Sequence, residues 1–208
     1  MTDKVLIGVL GKSGAGKDEF CKAILSRYGS EYQIERIALA DAVKAEVDYI
    51  GPFAMCIDYN VPYDENAPKN DPLCSTEHGK QRQLLQFWGQ YRRQSDLFYW
   101  VKKLDQRICQ SPARIVIVSD VRYTNERFYI KRTGFTVRIN REGHVGLTGE
   151  AAAHVSENEL NNYKADYVIN VGQDDLHTLH QESIKVFDQI TASFELESLT
   201  DEELYDDD

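Results

Sequence analysis

The run Val5-Leu6-Ile7-Gly8-Val9-Leu10 leads straight into Gly11-Lys12-Ser13-Gly14-Ala15-Gly16-Lys17-Asp18, and Glu19 to Arg27 follow with helical spacing. An apolar strand, a glycine-rich turn and a helix in that order form a phosphate-binding loop. In such a loop the backbone N–H groups wrap a chain of phosphates. The helix start adds a partial positive charge, and Lys17 adds a whole one. Gly11, Gly14 and Gly16 permit backbone angles and a close approach that a Cβ would block. The position after the lysine, where these loops usually carry a Mg2+-ligating Ser or Thr, holds Asp18. A carboxylate is also a hard oxygen donor, so metal binding survives the exchange. Its charge beside the phosphates has to be offset by Mg2+ or by basic side chains. The competing reading is a plain glycine-rich turn with an exposed lysine.

With 208 residues the chain can bury one full-sized core and is short for two. A hydrophobic content of 42% with 28% charged residues describes an ordinary soluble protein. No apolar run approaches membrane-spanning length. A strand-like segment begins almost at Met1, so no leader is expected. Cys21, Cys56, Cys74 and Cys109 lack metal-ligand or CxxC spacing, which points to a reduced, cytoplasmic setting. The net charge of −10 argues against a nucleic-acid partner, since a polyanion needs a basic face. Much of the acidic excess lies from Glu195 to Asp208, a stretch without a base, expected to be a solvated, disordered tail.

Short β-rich runs alternate with helical periodicity. The expected strands are Val5–Leu10, Ile34–Ala38, Ile115–Val118, Phe135–Ile139 and Tyr167–Asn170. Ile115-Val116-Ile117-Val118 is apolar throughout, as a central parallel strand buried on both faces should be. Leu97, Val101, Leu104 and Ile108 fall on one helix face, with Ser95 or Asp96 as a cap. Ser156 and Glu159 form a capping-box pattern, and Gly134 ends the helix before strand four. Leu176, Leu179, Ser183, Phe187, Ile190 and Phe194 mark a last long helix. The alternation implies a parallel α/β sheet with crossover helices. Residues 1–194 form a single domain in this reading. Two long loops interrupt it, a proline-rich substrate-side insertion at 51–79 and a glycine-containing, lid-like loop at 141–153.

The chemistry-bearing residues gather near strand ends, where ligands bind in parallel α/β sheets. Asp120 follows strand three and can hold a Mg2+ water or orient a hydroxyl, or else cap the next helix. Arg122 offers a planar fork to a phosphate. Asp41 and Lys44 follow strand two, Asp41 as a cap or sugar-hydroxyl acceptor and Lys44 as a phosphate ligand. Arg82 and Gln86 share a helix face, and Gln86 can pair with a base edge. Trp88 could stack on a base or fill the core. Arg92 and Arg93 could clamp a monophosphate or form a solvated basic helix end. Arg141 follows strand four and could reach a transferring phosphate. His154, beside the capping box, reads as structural. No Ser or Cys triad is evident.

The joint set of motifs resembles the phage-type deoxynucleoside monophosphate kinases. It comprises G-K-S-G-A-G-K-D at 11–18, L-A-D-A-V-K at 39–44, R-Q-L-L-Q-F-W-G at 82–89, Y-W-V-K-K-L at 99–104, S-D-V-R-Y-T-N-E-R at 119–127 and H-V-S-E-N-E-L at 154–160. The motifs run in family order and cover nearly the whole chain ahead of the acidic tail. The resemblance implies an adenylate-kinase-like P-loop kinase fold, a three-layer α/β sandwich with a five-stranded parallel sheet plus a substrate insertion and a lid. It implies ATP and Mg2+ as cofactors and a deoxynucleoside monophosphate as small-molecule substrate. The loop Gly11 to Asp18 would hold ATP phosphates, with Asp18 and Asp120 near the metal. Lys44, Arg82, Gln86, Arg92 or Arg93 and Arg122 would hold the acceptor. Lys17, Asp120, Arg122 and Arg141 would serve catalysis. Neither nucleic acid nor membrane is an expected partner, and a homodimer is left open. A phage-encoded chain would work in the host cytoplasm. A kinase for phosphomevalonate or dephospho-coenzyme A, a nucleotide-binding switch and an inactive relative stay as alternatives. Tyr49, Tyr59, Tyr63 and Tyr123 are candidate gates against a 2′-hydroxyl.

Overall fold

The computed structural model describes residues 4–54, 82–144 and 154–203, with side chains for 4–49, 85–144 and 154–194. Most of the expected insertion at 51–79, the greater part of the 141–153 loop, Tyr59, Tyr63, the Arg82 side chain and the end of the tail lie outside the described residues. The chain divides into two compact units, one of residues 1–37 with 108–208 and one of residues 38–107.

The first unit is built on five strands, β1 (Val5–Leu10), β2 (Ile34–Ile37), β3 (Ile115–Val118), β4 (Gly134–Arg141) and β5 (Tyr167–Val171). They lie in the order β2-β3-β1-β4-β5, and every pairing is parallel. β1 and β3 are buried along their full length, which is why both are apolar without alternation. On one face, Val5, Ile7, Val9, Ile117, Val137, Ile139 and Ile169 pack against two helices. Helix α1 (Lys17–Tyr32) contributes Phe20, Cys21 and Ile24. The C-terminal helix, Leu176–Glu203, contributes Leu179, Phe187 and Ile190. Tyr28 of α1 stacks on Phe187 at 5.0 Å between ring centres. Each fully buried side chain of this size is worth roughly 2–3 kcal/mol, so this layer supplies much of the unit's stability. Burial also pushes the Cys21 thiol up to about 12. On the opposite face, Gly8 leaves room for Val121 and for Ile130, whose methyl groups would sit 3.2 and 3.1 Å from a Cβ there.

The second unit contains helix α2 (Leu39–Ala54), helix α3 (Arg82–Ser95) and most of helix α4 (Tyr99–Gln110). Its core includes Val47, Trp88, Trp100 and Leu104. The Trp100 indole N–H is satisfied by the Gly89 carbonyl at 3.0 Å.

Four local expectations change. Leu97 precedes α4 and is exposed, and Trp100 joins Val101, Leu104 and Ile108 in the buried set. Asp96 does act at that helix start, accepting the Phe98 N–H at 3.0 Å. Gly134 caps no helix. Helix α5 (Thr124–Ile130) ends earlier, and Gly134 is the first residue of β4, where a Cβ would lie 1.9 Å from the Leu6 carbonyl oxygen. Ser156 and Glu159 form no capping box. His154 caps the short helix α6 (Val155–Asn158), and Glu159 accepts the Thr124 N–H at 2.7 Å. The C-terminal helix, α7, runs past Phe194 to Glu203, into the acidic stretch.

Candidate functional site at the carboxyl edge of the sheet

Because all strands run the same way, their carboxyl ends share one edge, and the loops leaving β1, β3, β4 and β5 meet there. The loop between β1 and α1 turns through Gly11, Gly14 and Gly16 at φ of 144°, 80° and 103°. Side chains other than glycine rarely adopt these angles. The turn therefore presents backbone N–H groups at the start of a 16-residue helix, the arrangement that binds anions.

Lys17 opens α1 and is 9% exposed. Its ammonium donates to the carbonyls of Gly11 and Lys12, at 2.8 Å each. Burial pulls its pKa from 10.5 down to about 8, and Arg122 adds to the fall, while Glu157, Asp120 and Asp18 oppose it. The expected neighbourhood of Lys17, Asp18, Asp120 and Arg122 is thus assembled within one unit. Asp18 is largely exposed and pairs with Arg36 of β2 at 2.9 Å. Asp120 follows Ser119, whose buried hydroxyl has no hydrogen-bond partner among the described residues. The turn carrying Asp120 and Arg122 is fixed from below by Glu126. That carboxylate, 1% exposed, accepts the N–H groups of Arg122 and Tyr123 at 2.9 and 3.1 Å. Together with Tyr123 it forms the capping box at the start of α5.

Arg141, the last residue of β4, also reaches the loop. Its guanidinium donates to the Gly14 carbonyl at 3.4 Å and to the Gln173 carbonyl after β5, and it lies 3.5 Å from Asp174. A cavity of about 420 Å³ opens beside the loop, lined among others by Lys12, Arg138, Asn140, Arg141, His144 and Asn161. Its size falls in the range of small-ligand sites, and its three cations suit an anion.

Three residues here escaped the sequence reading. Arg138 donates to the carbonyls of Leu160 and Tyr163, and burial holds its pKa below the ordinary arginine value. Its signal was available: a basic residue on a strand whose alternate positions, Val137 and Ile139, are core. His144 meets the Ser13 carbonyl through Nε2 at 2.6 Å, so that nitrogen carries the proton. Glu157, on α6, accepts the Ser13 N–H at 3.3 Å and pairs with the Arg122 guanidinium. Nothing in the local sequence marks either one, because their partner is the backbone of Ser13, more than a hundred positions away.

The remaining expected residues belong to the second unit. Lys44 and Arg107 lie 3.4 and 3.8 Å from the Asp41 carboxylate. A tighter cluster surrounds Glu46, which accepts from Tyr99 at 2.6 Å, Trp88 at 2.9 Å and Arg92 at 3.0 Å. Burial opposes the charge on Glu46, but these hydrogen bonds outweigh it and hold its pKa below the ordinary carboxylate value. Arg92 lies over the rings of Trp88 and Tyr99, at 4.7 and 4.8 Å. Trp88, 9% exposed, takes its core-filling alternative. Arg92 is anchored, not a freely solvated helix end. Arg93 donates to the Gly89 carbonyl, and Gln86 is half-buried on α3.

Neither a family model nor a curated protein sequence matches the chain. Among solved structures, dephospho-CoA kinase from Campylobacter jejuni is similar at 16% identity, over 90% of this chain and 98% of its own, with a TM-score of 0.50. A sugar kinase from Janibacter sp. HTCC2649 matches at 14% identity, over 92% of this chain and 98% of its own, with a TM-score of 0.41. The first of these likenesses establishes a shared fold, the α/β arrangement with a five-stranded parallel sheet and flanking helices.

Proposed function

We propose that the chain transfers a phosphoryl group from ATP to a small phosphorylated acceptor, a deoxynucleoside monophosphate. The observation that carries this reading is the glycine loop itself, held in positive-φ turns around a buried lysine and met at the same edge by Arg122 and Arg141. Phosphoryl transfer asks for alignment and charge neutralisation rather than for a covalent nucleophile. An acceptor phosphate is already a nucleophile at neutral pH, so a set made of lysine, arginines and carboxylates is sufficient. In this reading Gly11 to Lys17 bind the donor phosphates, and Arg122 and Arg141 neutralise charge near the transferred group. Asp41, Lys44, Arg82, Gln86, Arg92 or Arg93, and Arg122 are the candidate ligands of the acceptor. Glu46 would hold the Arg92 fork in one orientation.

The carboxylates fit a Mg2+ ion. No group of three or more metal-ligating side chains occurs among the described residues, and Mg2+ with a nucleotide asks for only one or two carboxylates. Asp18 and Asp120 would supply them. When bound, the ion would neutralise phosphate charge.

The test is a turnover panel with ATP and Mg2+ against the deoxy- and ribonucleoside monophosphates, with dephospho-coenzyme A and phosphomevalonate alongside, following ADP release. Formation of deoxynucleoside diphosphates is the expected result. The likeness to a dephospho-CoA kinase favours that acceptor as the second reading, and turnover confined to it would replace the first. ATP binding without turnover of any acceptor would leave a nucleotide-binding switch. No helix among the described residues is long and apolar enough to cross a membrane.

A further inference from the structure

Both backbone polar groups of Ser13 are held by side chains. Its carbonyl meets His144, and its N–H is taken by Glu157. The same Glu157 carboxylate pairs with Arg122 through its other oxygen, and the side chain is only 8% exposed. A backbone N–H of the glycine loop and an arginine fork are the donors that a phosphoryl group would use. Both are turned onto one carboxylate supplied by the chain. Lys17 is likewise turned inward, onto carbonyls of its own loop.

We infer that Glu157 is an internal anion holding a phosphate position of the site, and that a polyphosphate binds by displacing it from Ser13 and Arg122. The chemistry is an exchange of one anion for another on the same donors. Carboxylate and phosphate oxygens accept from arginine forks and helix-start N–H groups in the same way. The exchange has two consequences. In this position Glu157 keeps Arg122 beside the loop and gives its half-buried guanidinium a counter-charge. It also weakens the apparent affinity for phosphate, because every ligand competes with a tethered rival. A ligand offering several phosphoryl oxygens overcomes that rival more readily than one offering few. This inference rests on the reading of the glycine loop as a phosphate site, and not on the identity of the acceptor.

Calorimetric titration with inorganic tripolyphosphate, without metal, isolates the exchange from catalysis. Glu157→Gln keeps the shape and removes the charge. It is expected to bind tripolyphosphate at least about fivefold more tightly than the unaltered chain, that is, by roughly 1 kcal/mol. Glu157→Asp, which keeps the charge on a shorter stem, should fall between the two. Equal or weaker binding by a folded Glu157→Gln protein would overturn the inference while leaving the phosphate loop standing. Failure of the unaltered chain to bind tripolyphosphate or ATP at all would remove the loop reading and the inference together. A structure of the unaltered chain with ATP gives a second measurement that no folding defect can cloud. Ser13 N–H should donate to a phosphate oxygen, with Glu157 moved out of hydrogen-bond reach. Glu157 still on Ser13 in that complex would refute the exchange.

Discussion

Lys17 is a buried ammonium, and its burial works against its charge. Its ammonium is shut away from water, and a pKa lowered to about 8 corresponds to a penalty on the order of 3 kcal/mol on the charged form. The sign follows from linkage. Between pH 8 and 10.5 the unfolded chain holds a proton at this lysine that the folded chain has released, so folding gains stability as pH rises through that window. Binding of an anion behaves oppositely. ATP affinity should hold below neutral pH and decline as the pH rises through about 8, with the charge on Lys17. Lys17→Met should lower ATP affinity by about a hundredfold or more and flatten that decline. It should leave the melting temperature unchanged or raised, since the lost ammonium removes both two hydrogen bonds and the burial of a charge. A variant that melts well below the unaltered chain would show that Lys17 is structural. The lysine and the three glycines could be picked out from their spacing alone. Glu157 and His144 could not, because what selects them is proximity in space to the backbone of one residue, Ser13.

Among strands and helices, the boundaries expected from sequence agree with the structure wherever the apolar pattern is unambiguous. β1 and β3 match to the residue, because a strand buried on both faces leaves no polar position to blur its ends. The errors occur where a residue type has two physical uses. Glycine before a strand reads as a helix stop, but Gly134 is needed for close approach. It pairs with Leu6, whose backbone leaves no room for a side chain. Gly134→Ala should therefore destabilise the fold by at least about 3 kcal/mol in urea unfolding, by forcing β1 and β4 apart. A loss below about 1 kcal/mol would mean that the start of β4 yields easily. The capping pattern at Ser156 and Glu159 failed for a related reason. Glu159 is drawn away to the Thr124 N–H of α5, and tertiary contact overrides the local preference.

The order of the strands could not be deduced from the chain one segment at a time. It depends on contacts between distant stretches, and Asp166 shows what such a contact contributes. Sited just ahead of β5, it accepts the N–H and hydroxyl of Thr136 in β4, at 2.8 and 2.7 Å, and pairs with Lys131 after α5 at 2.7 Å. Burial works against its charge, yet the bonds from Lys131 and Thr136 prevail and hold its pKa below the ordinary 3.8. Its contribution is thus fully present above pH 3.8 and is lost as the pH falls through the lower, folded-state value. Asp166→Asn should cost about 1 kcal/mol at neutral pH, after allowance for screening by solvent. The gap between variant and unaltered chain should close in strong acid, read by urea titration at a series of pH values. A gap that persists unchanged in strong acid would assign the effect to shape instead of charge.

The chain has two tryptophans, and both belong to the unit of residues 38–107, Trp88 against Glu46 and Arg92 and Trp100 against Gly89. Their fluorescence, excited at wavelengths where tyrosine is dark, thus reports on that part alone, while the far-ultraviolet dichroism of the backbone sums over both parts. Comparing the two signals during one denaturant titration gives a label-free account of whether the parts melt in step.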